Sequence, residues 1–286
     1  MEVSMDRVNT SIELPYTFSL KETVNSHGWV ALSPWCWDIE SEVLSRKDRL
    51  PSGDIAEISI SQMSDRAIYL SFTTKESDPK HVPFVSMMVK RWLSTEWDPS
   101  AAIELASKIN IQIAQFIREG GGRFLRGSTF YEDFVKTICT IQISWSGTKR
   151  IVSSIVENVG LGIFPDPGTV LDFGEYRLRK EVKMGFRAKV IIETTEALVK
   201  RGILLQTGDI NTGFIGYNEL IGLKGIGPYS AAHMLMLQHD FSIIPIDSEV
   251  IKLCELKFGL GADEIQDYFH EWGLFKFLGY KIGNKF

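Results

Sequence analysis

The sequence predicts an α+β protein, with an antiparallel sheet domain over residues 1–98 and a helical domain over residues 99–286. In the first hundred residues, short segments rich in β-branched and aromatic residues alternate with turn residues, which is typical of antiparallel strands. From Asp98-Pro99-Ser100 onward, apolar residues recur at helical spacing instead. The length of 286 residues suits one large or two moderate domains.

The strand pattern is clearest at residues 55–62 and 67–72, where apolar residues partly alternate with polar ones. Two such runs separated by turn residues predict neighbouring strands of a meander. Trp29, Trp35 and Trp37 cluster ahead of these runs. We interpret the three tryptophans as core that covers the sheet, because large aromatic side chains are usually buried.

The helical half is predicted from apolar spacing and capping residues. The predicted helices cover residues 101–119, 129–145, 149–159, 187–200 and 262–279. Thr129 is the expected N-cap of the second, with Glu132 completing a capping box. Asp166-Pro167-Gly168 is predicted to be a loop.

Composition excludes several classes of protein. No apolar run approaches the ~20 residues that a membrane-spanning helix needs, and the first six residues lack the basic start and apolar core of a secretory signal. We therefore expect a soluble, intracellular (cytoplasmic) protein. Three widely spaced cysteines, Cys36, Cys139 and Cys254, exclude a disulfide framework and a four-cysteine iron–sulfur cluster.

The charge pattern gives two opposed indications about nucleic acid. The net charge of −5 argues against it, because affinity for DNA comes largely from Lys and Arg. Residues 177–189, however, hold six basic residues and one acidic residue. On charge alone, we interpret this run as a solvated helix face.

A helix, a Gly-x-Gly hairpin and a second helix are predicted within residues 220–238. Gly225 and Gly227 bracket the turn, and Pro228 suits the first position of the following helix. Such glycines let the backbone approach a partner and leave N–H groups at a helix N-terminus, where a phosphate can bind. Asp247 follows an apolar run further along and is also suited to cap a helix beginning at Ser248.

The segment Leu223-Lys-Gly-Ile-Gly227, with Ser230-Ala231 and then Pro245-Ile-Asp247, resembles the helix–hairpin–helix (HhH-GPD) DNA glycosylases, which have a Gly/Pro-rich loop and a catalytic Asp. Other stretches are similar to that family: residues 122–126, 134–142 and 185–190. Ser26-His-Gly-Trp29 and Pro34-Trp-Cys-Trp-Asp38 resemble the N-terminal domain of the 3-methyladenine DNA glycosylase II branch. The resemblance implies a helical domain of two lobes around a DNA-facing cleft.

The resemblance implies a monofunctional DNA glycosylase of base excision repair that hydrolyses the N-glycosidic bond of alkylated, 3-methyladenine-like purines in double-stranded DNA. Asp247 would stabilise the sugar cation and orient water. Tyr229 stands where strand-nicking members carry Lys, so no AP lyase activity is implied. The alternatives are a glycosylase for oxidised or deaminated bases, such as 8-oxoguanine or hypoxanthine, and a catalytically inactive DNA-binding module, against which Asp247 argues.

The remaining implied site residues fall into four groups. The base pocket would comprise Tyr229, His233, Trp272 and Tyr280; His233 is equally suited to the interior, and Trp272 and Tyr280 suit the core better than the pocket. Phosphate contacts would come from Lys224, Gly225, Gly227, Ser230, Arg187 and Lys189, with Lys224 alternatively only solvated. Gln142 or Ile143 would fill the gap left by an extruded nucleotide. Backbone carbonyls of Ile221, Leu223 and Ile226 would bind a monovalent cation, Na⁺ or K⁺; no other cofactor is expected, and the protein is expected to be a monomer.

Overall fold

The computed structural model describes residues 7–75 and 78–286. Its strands are β1 (Arg7–Glu13), β2 (Cys36–Asp38), β3 (Val43–Arg49), β4 (Ile55–Ser64) and β5 (Ala67–Thr73). Its α-helices are α1 (Leu20–Val24), α2 (Val82–Trp92), α3 (Ser100–Ile109), α4 (Ile111–Arg118), α5 (Phe130–Cys139), α6 (Trp145–Asn158), α7 (Pro167–Lys180), α8 (Arg187–Lys200), α9 (Tyr217–Ile221), α10 (Pro228–Leu237), α11 (Ser248–Phe258), α12 (Ile265–Tyr268) and α13 (Lys276–Gly283). Short 3₁₀ helices cover Gly28–Ala31, Pro79–His81, Ala262–Glu264 and His270–Phe275.

The five strands form one antiparallel sheet in the order β1-β5-β4-β3-β2. Ile58 pairs with Phe72 and Ile60 with Leu70, and all four side chains are buried on one face. Because side chains alternate between faces, this register turns one apolar face of the sheet towards the helices. The predicted α+β class and the two predicted strands are confirmed.

One hydrophobic core joins the sheet to the helices. Helix α2 lies within the predicted sheet domain, ahead of the predicted boundary at residue 98, and its Trp92 packs edge-on against Trp35. The division at residue 98 stays a prediction. No helix in the described part of the chain is long and apolar enough to cross a membrane.

The predicted helix over residues 101–119 is wrong as a single element. Asn110 adopts an extended conformation (φ −151°, ψ 108°) between α3 and α4. Its side-chain oxygen accepts hydrogen bonds from the backbone N–H groups of Gln112 and Ile113, at 3.0 and 3.3 Å. Asparagine competes with the helix for such donors, which explains the break.

The predicted helix over residues 129–145 is too long. Thr129 caps α5 as expected, accepting from Glu132 N at 3.2 Å, but the helix ends at Cys139. The Glu132 carboxylate accepts from the backbone of Ser128, at 2.9 Å, rather than closing a capping box on Thr129. Gln142 then has a left-handed backbone (φ +50°), which ends any continuous helix.

The predicted last helix, residues 262–279, is divided into 3₁₀ segments, α12 and α13. Gly273 (φ +50°) lies at the break, in a conformation that favours glycine.

Asp166, in the predicted loop, also caps α7, accepting from Thr169 N at 2.8 Å. Within the basic run, Arg177 and Arg179 form exposed ion pairs along α7, as expected for a solvated face.

Candidate active site

The hairpin between α9 and α10 forms as predicted, and its two glycines serve different purposes. Gly225 has φ +84°, and a Cβ atom there would lie 2.8 Å from Val190 Cγ2 of α8, so only glycine fits. Gly227 is extended (φ −97°) and caps α10, and a Cβ atom there would meet nothing within 4 Å. The hairpin is therefore packed on α8 at Gly225 and open to an outside partner at Gly227.

The predicted phosphate-binding lysines share one counterion. Lys224 Nζ lies 3.1 Å, and Lys189 Nζ 3.7 Å, from the Glu193 carboxylate. Both lysines are exposed, so the three side chains leave a formal charge of +1 beside the hairpin. Their contact with phosphate stays a prediction.

Two further predictions concern the hairpin: a DNA contact at Ser230 and a cation bound by backbone carbonyls, among them that of Leu223. Ser230 is only 3% exposed in α10, and its contact with DNA stays a prediction. The carbonyl of Leu223 accepts from Ile226 N at 3.1 Å. A monovalent cation held by the carbonyls of Ile221, Leu223 and Ile226 stays a prediction.

The guanidinium of Arg187 is buried and hydrogen-bonded to backbone carbonyls instead of facing outward. Its predicted phosphate contact is therefore wrong. Its side chain is 6% exposed, and Nε donates to the carbonyl of Ile141 at 2.9 Å. Nη2 donates to the same carbonyl and to that of Gln142, at 3.0 Å for the latter. These bonds occupy the guanidinium and fix the turn between α5 and α6.

That turn carries both residues predicted to fill the gap in the duplex. Gln142 is exposed at its tip in a left-handed conformation, which is uncommon outside glycine and often accompanies a functional site. Ile143 is partly buried and covers Gly147, where a Cβ atom would lie 2.5 Å from Ile143 Cγ1. Their insertion into DNA stays a prediction.

Asp247 is fixed at the N-terminus of α11. Its Oδ1 accepts from the backbone N–H groups of Glu249 and Val250, at 3.0 and 2.8 Å. Both of these hydrogen bonds are to Oδ1, and the residue is partly exposed. The helix N-terminus therefore orients the carboxylate, and the catalytic role of Asp247 stays a prediction.

Tyr229 lies near Asp247, and the charge of that carboxylate affects the pKa of the phenol. Burial, and secondarily the Asp247 carboxylate, raises the pKa of Tyr229 to about 12. The phenol therefore stays protonated at neutral pH.

Four aromatic rings lie close together, and we call them the ring cluster: His27, Trp29, Tyr229 and His233. The His233 ring centroid lies 5.7 Å from that of Tyr229 and 4.9 Å from that of Trp29. His27 lies parallel to His233 with 5.9 Å between centroids, and 4.9 Å from Trp29. The predicted pair Tyr229 and His233 is thus joined by two residues from the chain segment ahead of β2.

Both histidines of the ring cluster are uncharged at neutral pH. Burial, followed by the nearby positive charge of Lys281, lowers the pKa of His233 to about 4. Burial also lowers the pKa of His27 well below its ordinary range. The cluster therefore combines two neutral imidazoles with Tyr229, the member whose pKa the Asp247 carboxylate helps to raise.

Trp29 is part of the hydrophobic core, as predicted, and it also forms a hydrogen bond. Its indole N–H donates to Asp133 Oδ1 on α5 at 2.9 Å, and the same oxygen accepts from Gly127 N at 2.7 Å. Sequence reasoning missed the roles of His27, Asp133 and Lys281. These contacts join residues that are far apart in the chain, so only the Ser26-His-Gly-Trp29 stretch could have indicated them from the sequence.

The other two predicted pocket aromatics lie in the interior. Trp272 is 5% exposed and packs beneath α13, where a Cβ atom on Gly279 would lie 2.4 Å from the indole. Tyr280 packs against Phe269 and Phe277, and burial raises its pKa, with a smaller contribution from Asp247. Tyr280 therefore borders Asp247 from behind, whereas Trp272 supports the helix that carries it.

A second buried polar group, which we call the ionic junction, ties the sheet to α5: Arg46, Asp48, Glu132 and Lys136. Arg46 donates to both Glu132 oxygens, at 3.0 and 2.9 Å, and to Asp48 at 2.9 Å. Lys136 Nζ donates to Glu132 at 2.7 Å. Burial opposes the charge on Glu132, but Arg46 and Lys136 outweigh it and lower the pKa of Glu132 to about 2.

A cavity of about 520 Å³ opens beside Tyr229, on the side of the hairpin and the loop before α11. Its lining is Tyr217, Pro228, Tyr229, Ser242, Ile243, Ile244, Ile246, Ala262, Asp263, Gln266 and Lys276. Tyr229 thus belongs both to the ring cluster and to a concave surface that reaches solvent.

Solved structures of DNA glycosylases are similar to the whole chain. The 3-methyladenine DNA-glycosylase from Archaeoglobus fulgidus has a TM-score of 0.73 and 18% identity, over 96% of this chain and 98% of that one. The apo 8-oxoguanine glycosylase/lyase of Clostridium acetobutylicum has a TM-score of 0.65 and 17% identity, over 98% and 97%. MBOgg1, in complex with a low-affinity DNA ligand, has a TM-score of 0.65 and 16% identity, over 99% of both chains.

These likenesses concern the fold, because their sequence identity is low. No protein-family model and no curated protein matches the sequence. The three structures each match 96% or more of this chain. The chain therefore has the fold of the helix–hairpin–helix DNA glycosylases.

Proposed function

We propose that the protein is a monofunctional DNA glycosylase that removes a damaged purine, of the alkylated, 3-methyladenine-like class, from double-stranded DNA. The observation that carries the proposal is the placement of Asp247, held through Oδ1 at the N-terminus of α11 and close enough to Tyr229 of the ring cluster to raise the pKa of its phenol. A carboxylate fixed near a group of aromatic rings suits a reaction at the bond between a sugar and a flat base.

Hydrolysis of an N-glycosidic bond explains the need for that carboxylate. The bond from sugar C1′ to the base nitrogen breaks with its electron pair going to the base, and positive charge builds on the sugar. Water then adds at C1′ and releases a proton, which leaves a free base and an abasic sugar. A preorganised carboxylate at Asp247 stabilises the developing cation, and it can orient the water or accept its proton.

The choice of an alkylated purine rests on the character of the ring cluster. An alkylated purine carries positive charge on a flat ring, and the faces of Trp and Tyr attract such cations. Neutral His27 and His233 add no opposing charge. The similarity in fold to the Archaeoglobus 3-methyladenine enzyme supports the same class, whereas the similarity to the Clostridium 8-oxoguanine enzyme makes that base the second candidate.

The absence of lyase activity is proposed from the residue at position 229. A protonated phenol cannot form a Schiff base, and strand-nicking chemistry needs an amine at the sugar carbon. Lys224 is turned to Glu193 on the outer side of the hairpin, at 3.1 Å. Lys281 is the other amine to test, since burial lowers its pKa and it lies near Asp247.

The proposal is tested by single-turnover excision from four matched duplexes. One contains 3-methyladenine, one 8-oxoguanine, one hypoxanthine and one no lesion. We expect release of 3-methyladenine fastest, no release from the undamaged duplex, and strand breaks only after alkali or heat. Release of no base from any duplex would contradict the glycosylase proposal, and faster release of 8-oxoguanine would replace the lesion class.

The same reactions, run with borohydride, test the monofunctional assignment. We expect no covalent protein–DNA adduct, because no amine is placed at the sugar carbon. An adduct that disappears in Lys224→Ala or Lys281→Gln would overturn the assignment and identify the nucleophile.

A further inference from the structure

Three ring nitrogens of the ring cluster are buried without a hydrogen-bond partner. Within residues 7–75 and 78–286, neither Nδ1 nor Nε2 of His27 has a partner, and neither does Nε2 of His233. Leaving a buried polar atom unpaired is destabilising, so such atoms are uncommon in native proteins. A group of them on adjacent rings is typical of a place where a bound molecule supplies the missing bonds.

The two imidazole rings lie together at the edge of the open cavity's wall. Their planes are parallel to within 3°, with 5.9 Å between centroids. Trp29 lies 4.9 Å from both rings. Tyr229 lies 5.7 Å from His233 and also lines the cavity, so it connects the two histidines to a surface that reaches solvent.

The chemistry of these rings selects the kind of molecule. A neutral imidazole offers one N–H donor and one acceptor nitrogen. Two neighbouring neutral rings therefore match an edge on which a donor and an acceptor alternate, as on the hydrogen-bonding edges of purines. They do not match a phosphate, which needs charged donors, because burial keeps both histidines uncharged.

We propose that His27 hydrogen-bonds to the edge of the extruded purine, next to His233, and so makes the N-terminal part of the chain a determinant of base selection. This inference rests on the proposed function, because it places the purine beside Asp247. Asp133 acts as a positioning residue by holding the Trp29 indole at 2.9 Å.

Direct contact is tested by NMR on protein labelled with ¹⁵N at histidine side chains. The five histidines give few signals, which His27→Gln, His233→Gln and His239→Asn assign. Titration with free 3-methyladenine, and separately with hypoxanthine, should shift the ring nitrogens of His27 and His233. His239 is the matched control, since its Nε2 is also buried and unpartnered but it packs against Phe241, outside the cluster.

Selection is tested by excision kinetics of His27→Phe and His27→Gln. Phe keeps a ring and removes both nitrogens, and we expect ~10- to 100-fold slower excision of the preferred base, as for the loss of one or two buried hydrogen bonds. Gln restores a donor and an acceptor and should recover part of the rate. Binding to duplex without a lesion, and the melting temperature, should stay close to wild type for Gln.

The outcomes separate this inference from the proposed function. If the wild type releases a base but the His27 signal does not move and His27→Phe keeps the wild-type rate, the inference fails alone. If the two histidine signals shift with free purine but no duplex loses a base, the glycosylase proposal fails and the purine site stands. If neither occurs, both fail.

Discussion

The ionic junction and the ring cluster are both buried polar groups, but the Glu132 carboxylate and the two imidazole rings differ in how fully they are hydrogen-bonded. Each Glu132 oxygen accepts two hydrogen bonds, from Arg46, Lys136 and Ser128. Three imidazole nitrogens of the ring cluster, and Arg46 Nε of the junction, have no partner in the described part of the chain. The contrast is therefore between a fully paired carboxylate, which ties the sheet to α5, and imidazole nitrogens that a ligand can pair.

One side chain connects the two groups. Asp133 is the neighbour of Glu132 on α5, and it holds the Trp29 indole that lies against both histidines. Helix α5 therefore presents one carboxylate to the sheet and the next to the ring cluster. The junction fixes the distance between the sheet and α5, and the ring cluster depends on that distance.

The largest effect is expected from breaking the junction. Glu132→Gln keeps the shape but removes the charge between Arg46 and Lys136, and breaking such a buried pair costs about 3–5 kcal/mol. Urea unfolding at pH 7 measures the loss. Glu104→Gln, in an exposed pair with Lys108, is the control and should leave the unfolding free energy unchanged. A Glu132→Gln protein as stable as the control would show that the junction does not hold the fold.

The free energy of unfolding should also depend on pH, to a smaller extent, and in a different pH range for the ring cluster than for the ionic junction. The pKa of His233 is about 4 in the folded chain and near 6.5 when unfolded, so the unfolded state binds the proton first. Stability therefore falls as the pH falls from about 6.5 to 4, by about 2 kcal/mol at pH 5 for this one group. For Glu132, with a pKa lowered to about 2, stability is present above about pH 4.5 and is lost below it.

The measurement compares urea unfolding of wild type and His233→Gln at pH 7 and pH 5. Gln does not titrate, so the variant should lose about 2 kcal/mol less between the two pH values than the wild type. The exposed His270→Gln should show the wild-type difference. Equal pH dependence in all three proteins would mean that His233 is not held neutral by burial.

The smallest effect is expected at Gly227, outside both groups. Asp and Asn are both good helix N-caps, and a Cβ atom fits at this position, so both variants should fold normally. Gly227→Asp places a negative charge where a phosphate is expected, and binding to damaged and undamaged duplex alike should weaken ~10-fold. Gly227→Asn is the neutral control. Fluorescence anisotropy across a salt titration measures the DNA affinity of both variants. Equal affinities would show that Gly227 does not lie against a DNA phosphate.

The features that the sequence predicts correctly are those that local chemistry determines. The strands β4 and β5, the hairpin and the capping position of Asp247 each depend on residues close together in the chain. Asn110 and Gln142 show the limit of this reasoning. The helical spacing of apolar residues continues past both positions, but the backbone leaves the helical conformation there. A capping side chain in one case and a left-handed residue in the other overrides the periodic pattern.

The features that the sequence does not reveal depend on tertiary contact. Arg187 has the charge of a phosphate ligand, but it binds carbonyls 45 and 46 residues earlier. Arg46 and Glu132 are 86 residues apart, and no local pattern pairs them. His27 and His233 are far apart in the chain and meet only in the folded protein, so no local pattern reveals their contact.

The most direct test of the proposed chemistry compares two helix caps. Asp247 caps α11 and Asp166 caps α7 through the same kind of hydrogen bond, and Asn is an equally good cap. Asp247→Asn and Asp166→Asn should both fold and bind damaged duplex like the wild type. Single-turnover excision should fall ~10²–10³-fold in Asp247→Asn alone, because only that carboxylate stabilises the sugar cation. Wild-type excision by Asp247→Asn, or an equal loss in Asp166→Asn, would contradict the assignment of Asp247 as the catalytic carboxylate.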